Sequence, residues 1–326
     1  MKRRAALPAL ATAVAFVAVG CHETLDAGFD HPHGILPVDE RNPIVLVNDG
    51  AYDNWSGEYA VLLAGRGGGQ LAGIIVNASS DWPDITKNVG GWRDLVAAAT
   101  ASGLQNIPDP ITSTESPLVM PANGDIDATE PNRSEGALFI VKTSMRLGLP
   151  YRPLVIATGG ALTDVADAYL IDHTVTQRVV VVSSLGGVSE SGGNMGIPNG
   201  NADPWADAIV AARFRYVQVS AFYDETTDVP TASIPQLPDN ALGAWIAAKA
   251  PNIWQWQPAS DQVAVLAPGL PTFATEIENV SSAAPPGAGA TAGPDLNTDP
   301  AGHNWLVTAC DGAAATSAFW QFLASH

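Results

Sequence analysis

Asn48, Asp49, Asp53 and Asn54 crowd into the segment directly after an aliphatic run, Ile44 to Val47. The same arrangement recurs along the chain. Gly73-Ile74-Ile75-Val76 opens onto Asn77, Ser79 and Asp81, and Leu154-Val155-Ile156-Ala157 opens onto Thr158-Gly159-Gly160. Val179 to Val182 is followed by Ser183-Ser184 and a Gly-rich stretch with Asn194, Asn199 and Asn201. Carboxylate, amide and backbone carbonyl oxygens are the ligands a hard cation such as Ca²⁺ accepts. They suit the hydroxyls of a sugar equally well. Asp, Asn and Gly also make ordinary turns and helix caps, so one such segment carries little; their shared position after successive apolar runs carries more.

The elements that would position these residues are legible. Tyr216 to Val219 is a further apolar run that continues to Phe222, and Trp305–Ala309 reads as a last strand. Runs without polar alternation are strands covered on both faces. Helical patterns lie between them at Trp92–Thr100, Glu135–Leu147, Leu162–Ile171 and Trp205–Arg213, with another at Ala314–Leu323. Strand and helix in alternation predict an α/β fold, an open, mostly parallel sheet with helices on both faces. In such sheets ligands bind beyond the carboxyl ends of the strands, where the polar segments fall. Ser281 to Gly293, rich in Ala, Gly and Pro, reads as a surface loop.

The chain has 326 residues and a formal charge of −18. That length serves one large α/β domain or two small ones. An acidic surface of this strength disfavours nucleic acid and anionic membranes as partners. Lys2, Arg3 and Arg4 precede the apolar stretch Ala5 to Val19, too short to span a bilayer, and Ala18-Val19-Gly20-Cys21 follows. This reads as a signal peptide over residues 1–21 with a lipobox-like end, at which the Cys21 thiol is acylated. Residues 22–42 read as a tether and 43–326 as the domain. The expected location is the bacterial cell envelope, reached through a lipid anchor, or the periplasm or medium if cleavage is ordinary. The other cysteine, Cys310, is then a free thiol; without lipidation it has Cys21 as a disulfide partner.

The stretch Ile44 to Ala60 resembles the opening of the inosine–uridine nucleoside hydrolases, a strand followed by Asp-x-Asp-x-x-x-Asp-Asp and a helix; here it reads Val47-x-Asp49-x-x-x-Asp53-Asn54. Later segments resemble that family in order: Leu71–Ser79, Leu154 to Leu170, Gly186-Gly187 through Asn199-x-x-x-Asp203-Pro204, and Ser260-Asp261 at a helix start. The resemblance implies the nucleoside hydrolase fold and a bound Ca²⁺ held by Asp49, Asn54, the Thr158 carbonyl and Asp261. It implies that Asp49 is the general base for the attacking water, and that Asp53, Asn77, Asn194 and Asn199 bind ribose. The substrate would be a nucleoside or related riboside, cleaved through an oxocarbenium-like transition state that nearby carboxylates stabilise.

The departures point toward a second reading. Val47 replaces the first Asp of the motif, and Asn54 replaces a carboxylate with a neutral amide, which weakens Ca²⁺ binding. Ser260 stands where some family members place a His that protonates the leaving base, and a hydroxyl is a poor general acid. His173 and His303 match no family site, and Trp254 and Trp256 are candidates for stacking on a base or sugar. The alternative to a hydrolase is therefore a non-catalytic nucleoside- or sugar-binding lipoprotein on the same fold. A third is an envelope protein that acts through its acidic surface.

Overall fold

The computed structural model describes residues 38, 41–50, 70–79, 82–113, 116–184, 189–190, 202–219, 237–249, 274–283, 293–311, 321 and 324. Within them the six runs read as strands are β1 (Pro43–Asn48), β2 (Gln70–Val76), β4 (Leu154–Thr158), β5 (Val179–Ser184), β7 (Arg215–Val219) and β10 (Asn304–Cys310). Four shorter or more polar strands join them: β3 (Pro110–Thr112), β6 (Ser189–Glu190), β8 (Ala274–Ser282) and β9 (Asp295–Thr298). Together they form one sheet in the order β3-β2-β1-β4-β5-β7-β10-β8-β9-β6. Its pairings are parallel except at β10–β8 and β8–β9.

The unbroken apolar strands arise because both faces of the sheet are covered. Ile44 and Leu46 of β1 enter one core, while Val45 and Val47 enter the other. The first core takes helices α1 (Ile85–Ala101) and α5 (Ala241–Lys249) through Trp92, Leu95, Leu242 and Ile246. The second takes α2 (Glu135–Leu147), α3 (Thr163–Ile171) and α4 (Pro204–Arg213). Among the described residues no helix is long and apolar enough to cross a membrane.

Local chemistry sets the helix starts. The Asp84 carboxylate accepts the N–H groups of Thr86 and Lys87, Ser134 caps α2 through the Ala137 N–H, and Asp203 caps α4 with Pro204 in its first turn. α1 begins a full two turns before the expected Trp92, because Asn88 and Gly91 are buried alongside the apolar stripe and hide its start from a hydrophobic count. The expected loop from Ser281 instead begins with the last two residues of β8. Ala314–Leu323 lies outside the described residues except for Gln321.

The strand order contains a switch. From β1 the chain moves outward through β2 and β3, then returns to the other side of β1 and continues through β4, β5 and β7. The crossovers therefore diverge at the carboxyl ends of β1 and β4, which leaves a crevice there for a ligand.

Candidate functional site

The crevice is framed by three strand ends held in register. Val47 pairs with Thr158 and Asn48 with Val76. The ladders continue one residue further, as Gly159 donates to the Val47 carbonyl and Asn77 to the Asn48 carbonyl, each at 3.0 Å. Asp49, Asn77 and Thr158 thus emerge side by side, although the sequence separates them widely.

Asp49 is 1% exposed, with both carboxylate oxygens engaged. Oδ1 accepts the Gly50 N–H at 2.7 Å, and Oδ2 accepts the Ser79 hydroxyl. The Asp49 carbonyl accepts Trp92 Nε1 at 3.2 Å, which ties this turn to α1. Two glycines permit the close approach. A Cβ at Gly50 would lie 2.6 Å from the Trp82 ring, and one at Gly160 would lie 2.6 Å from Asn77 Oδ1 and 3.3 Å from the Asp49 nitrogen. Thr158 folds its hydroxyl back onto the Gly160 carbonyl at 2.9 Å, shaping the turn after β4. Asn77 is wholly buried; its Nδ2 donates to the Ala161 carbonyl at 3.2 Å, while its Oδ1 has no hydrogen-bond partner.

No family profile matches the chain, and no curated protein matches its sequence. Solved structures do match its fold. A plant nucleoside hydrolase superimposes with a TM-score of 0.59 over 87% of this chain and 99% of its own, at 15% identity. The inosine–uridine preferring nucleoside hydrolase of Bacillus anthracis gives 0.58 over 87% and 100%, at 12% identity. The purine-preferring ribonucleoside hydrolase of Gardnerella vaginalis gives 0.58 over 86% and 98%, at 16% identity. The fold is that of the nucleoside hydrolases.

Within this nucleoside hydrolase fold, the structure brings together Asp49, Asn77 and Thr158 of the expected site. Asp53, Asn54, Asn194, Asn199 and Asp261 lie outside the described residues, as do Trp254, Trp256, Ser260 and Cys21. Among the described residues, no group of three or more His, Cys, Asp or Glu is placed to hold a metal ion. The donors that are described, the Asp49 carboxylate and the Thr158 carbonyl, are oxygens, with the unpartnered Asn77 Oδ1 at the same strand ends. That chemistry fits a hard cation and not a soft one. His173 precedes β5 and His303 precedes β10, so both sit at the amino edge of the sheet, away from Asp49.

Four buried polar residues had no role in the sequence reading. Ser79 was visible only as one polar residue after β2. Asp164 accepts the hydroxyls of Ser113 and Ser134 at 2.6 and 2.8 Å, linking the end of β3 to the starts of α2 and α3. Asp203 accepts the Leu118 N–H at 2.8 Å, the Thr163 hydroxyl at 2.9 Å and the Ala206 N–H at 3.0 Å. Burial raises its carboxyl above the usual carboxylate range, against the lowering effect of those donors. Asp207, one turn further along α4, is wholly buried with neither oxygen hydrogen-bonded; burial, and then the charge of Asp203, push its carboxyl well up.

Proposed function

We propose that the chain is an exported, Ca²⁺-dependent N-glycoside hydrolase that cleaves the N-glycosidic bond of nucleosides or related ribosides. The observation that carries the reading is Asp49, a fixed and nearly buried carboxylate at the switch point of a sheet whose fold is that of nucleoside hydrolases. Asp49 takes the proton of the attacking water, a task that requires a positioned base within hydrogen-bond reach of that water. Asp53, Asn199 and Asn194 hold the ribose hydroxyls, with Asn77 supporting the same edge. Asp49, Asn54, the Thr158 carbonyl and Asp261 are the residues that would hold Ca²⁺. When bound, the ion would lower the pKa of water and anchor sugar hydroxyls. The leaving base departs without a His at position 260, so bases that leave as stabilised anions, or that solvent has already protonated, are the preferred leaving groups.

The test is a panel of purine and pyrimidine nucleosides, assayed for ribose release with Ca²⁺ and with a chelator. Ca²⁺-dependent release from any member supports the hydrolase; binding without release by any member at any pH overturns it. Binding alone would favour the second reading, a riboside-binding protein. The observation behind that reading is Val47, which is wholly buried in the apolar core where the resembled motif carries a carboxylate. Export through a lipidated Cys21 belongs to the same proposal. Cys21→Ser should leave an unprocessed or soluble protein, and unchanged processing and membrane association would remove the anchor from it.

A further inference from the structure

We propose that Ser79 is a positioning residue that holds the Asp49 carboxylate in one orientation; its effect on turnover rests on the hydrolase reading above. Ser79 lies just past the end of β2, beside the end of β1, and is 7% exposed. A hydroxyl has one proton to give, and Ser79 gives it to Asp49 Oδ2. Its oxygen accepts the Trp82 N–H at 3.1 Å, and its own N–H donates to the Trp82 carbonyl at 3.2 Å. These reciprocal bonds close a tight turn and leave the hydroxyl proton directed at Asp49.

That turn is itself anchored. Asn88 of α1, 1% exposed, donates Nδ2 to the Trp82 carbonyl at 2.8 Å and to the Asn77 carbonyl at 3.1 Å. The Trp82 ring lies against Gly50, whose N–H holds the other Asp49 oxygen at 2.7 Å. One oxygen is therefore held by Asp49's own turn and the other by the turn after the neighbouring strand. The terminal torsion of an Asp side chain is broad and two-fold. Loss of the Ser79 hydroxyl removes the hydrogen bond to Oδ2 and with it a restraint on that torsion.

The experiment compares the full-length chain with Ser79→Ala, Ser79→Cys and Ser79→Thr. A misplacement of about 1 Å costs roughly 10²-fold in rate. Ser79→Ala should accordingly lower kcat about 10–100-fold with KM little changed. Ser79→Thr, which keeps the hydroxyl, should recover most of kcat, and Ser79→Cys, similar in size but a weak donor, should fall between. A crystal structure of Ser79→Ala should show the Asp49 carboxylate turned or in two orientations. An unchanged Asp49 in that structure overturns the proposal, as does wild-type kcat in Ser79→Ala. If the parent chain turns over no riboside, the hydrolase reading fails by itself, and the Asp49 orientation in Ser79→Ala still decides the positioning role.

Discussion

Gly160 and Asn77 are packed so closely that a Cβ at position 160 would lie 2.6 Å from Asn77 Oδ1. The contact joins the turn after β4 to the end of β2 across the end of β1.

Gly160→Ala should therefore damage the site more than the fold around it. The new methyl meets Asn77 Oδ1 on one side and the Asp49 nitrogen, at 3.3 Å, on the other. Overpacking of this kind costs roughly 1–3 kcal/mol. Urea unfolding should show that loss, and riboside affinity should fall as Asp49 and Thr158 are moved apart. A variant with parent stability and parent affinity would mean that the turn relaxes without cost.

Asn304 makes a second structural prediction. It is wholly buried at the start of β10, where its Nδ2 donates to the Ala211 carbonyl at 2.8 Å and its Oδ1 accepts the Tyr216 N–H at 3.2 Å. It bridges the end of α4 to β7. Asn304→Ala removes a hydrogen bond from each of these two buried backbone groups, a loss of about 1–3 kcal/mol in stability. The urea midpoint should drop accordingly, with no change in KM, since Asn304 sits at the amino edge away from Asp49.

The extent to which this was legible follows from what burial does to sequence. β1, β2, β4, β5, β7 and β10 stand between two helical layers, so their central residues are mostly apolar on both faces and read plainly as strands. β8 is different: Glu276 and Glu278 are exposed on it, so it carries no continuous apolar run. α5 is short and nearly apolar throughout, which left no periodicity to find. Asp49 was recognisable from its place after β1. The role of Ser79 was not, because it exists only through the pairing of β1 with β2, 30 residues apart. Asp207 reads as an ordinary helix acid, and only the packing of α4 against α3 and β8 as well as the sheet makes it buried.

That burial gives Asp207 a measurable signature. Its carboxyl is raised well above the usual range in the folded chain, first by desolvation and then by the Asp203 charge. In the unfolded chain it titrates near the ordinary value of about 3.9. Below that pH it is protonated in both states and costs nothing. As pH rises through that value the unfolded state loses its proton first, so folding stability falls until the folded carboxyl also ionises. Asp207→Asn removes the titration. The urea midpoint of the parent should decline relative to Asp207→Asn as the pH rises above about 4. Parallel pH profiles would show that Asp207 titrates alike in both states.

Asp49→Asn tests the chemistry most directly. The amide keeps the shape of the side chain and one oxygen acceptor, so the Ser79 or the Gly50 hydrogen bond survives. It cannot take a proton from water. General-base catalysis is worth roughly 10²–10⁴-fold, and kcat should fall by that order while riboside Kd changes less. Asp53→Asn should do the reverse, weakening ribose binding more than turnover, because its assigned role is to hold hydroxyls and not to move a proton. Measuring kcat and Kd for both variants on the same riboside separates the two assignments. A parent-like kcat in Asp49→Asn would remove the base from Asp49, and the fixed carboxylate would then be left with a binding role alone.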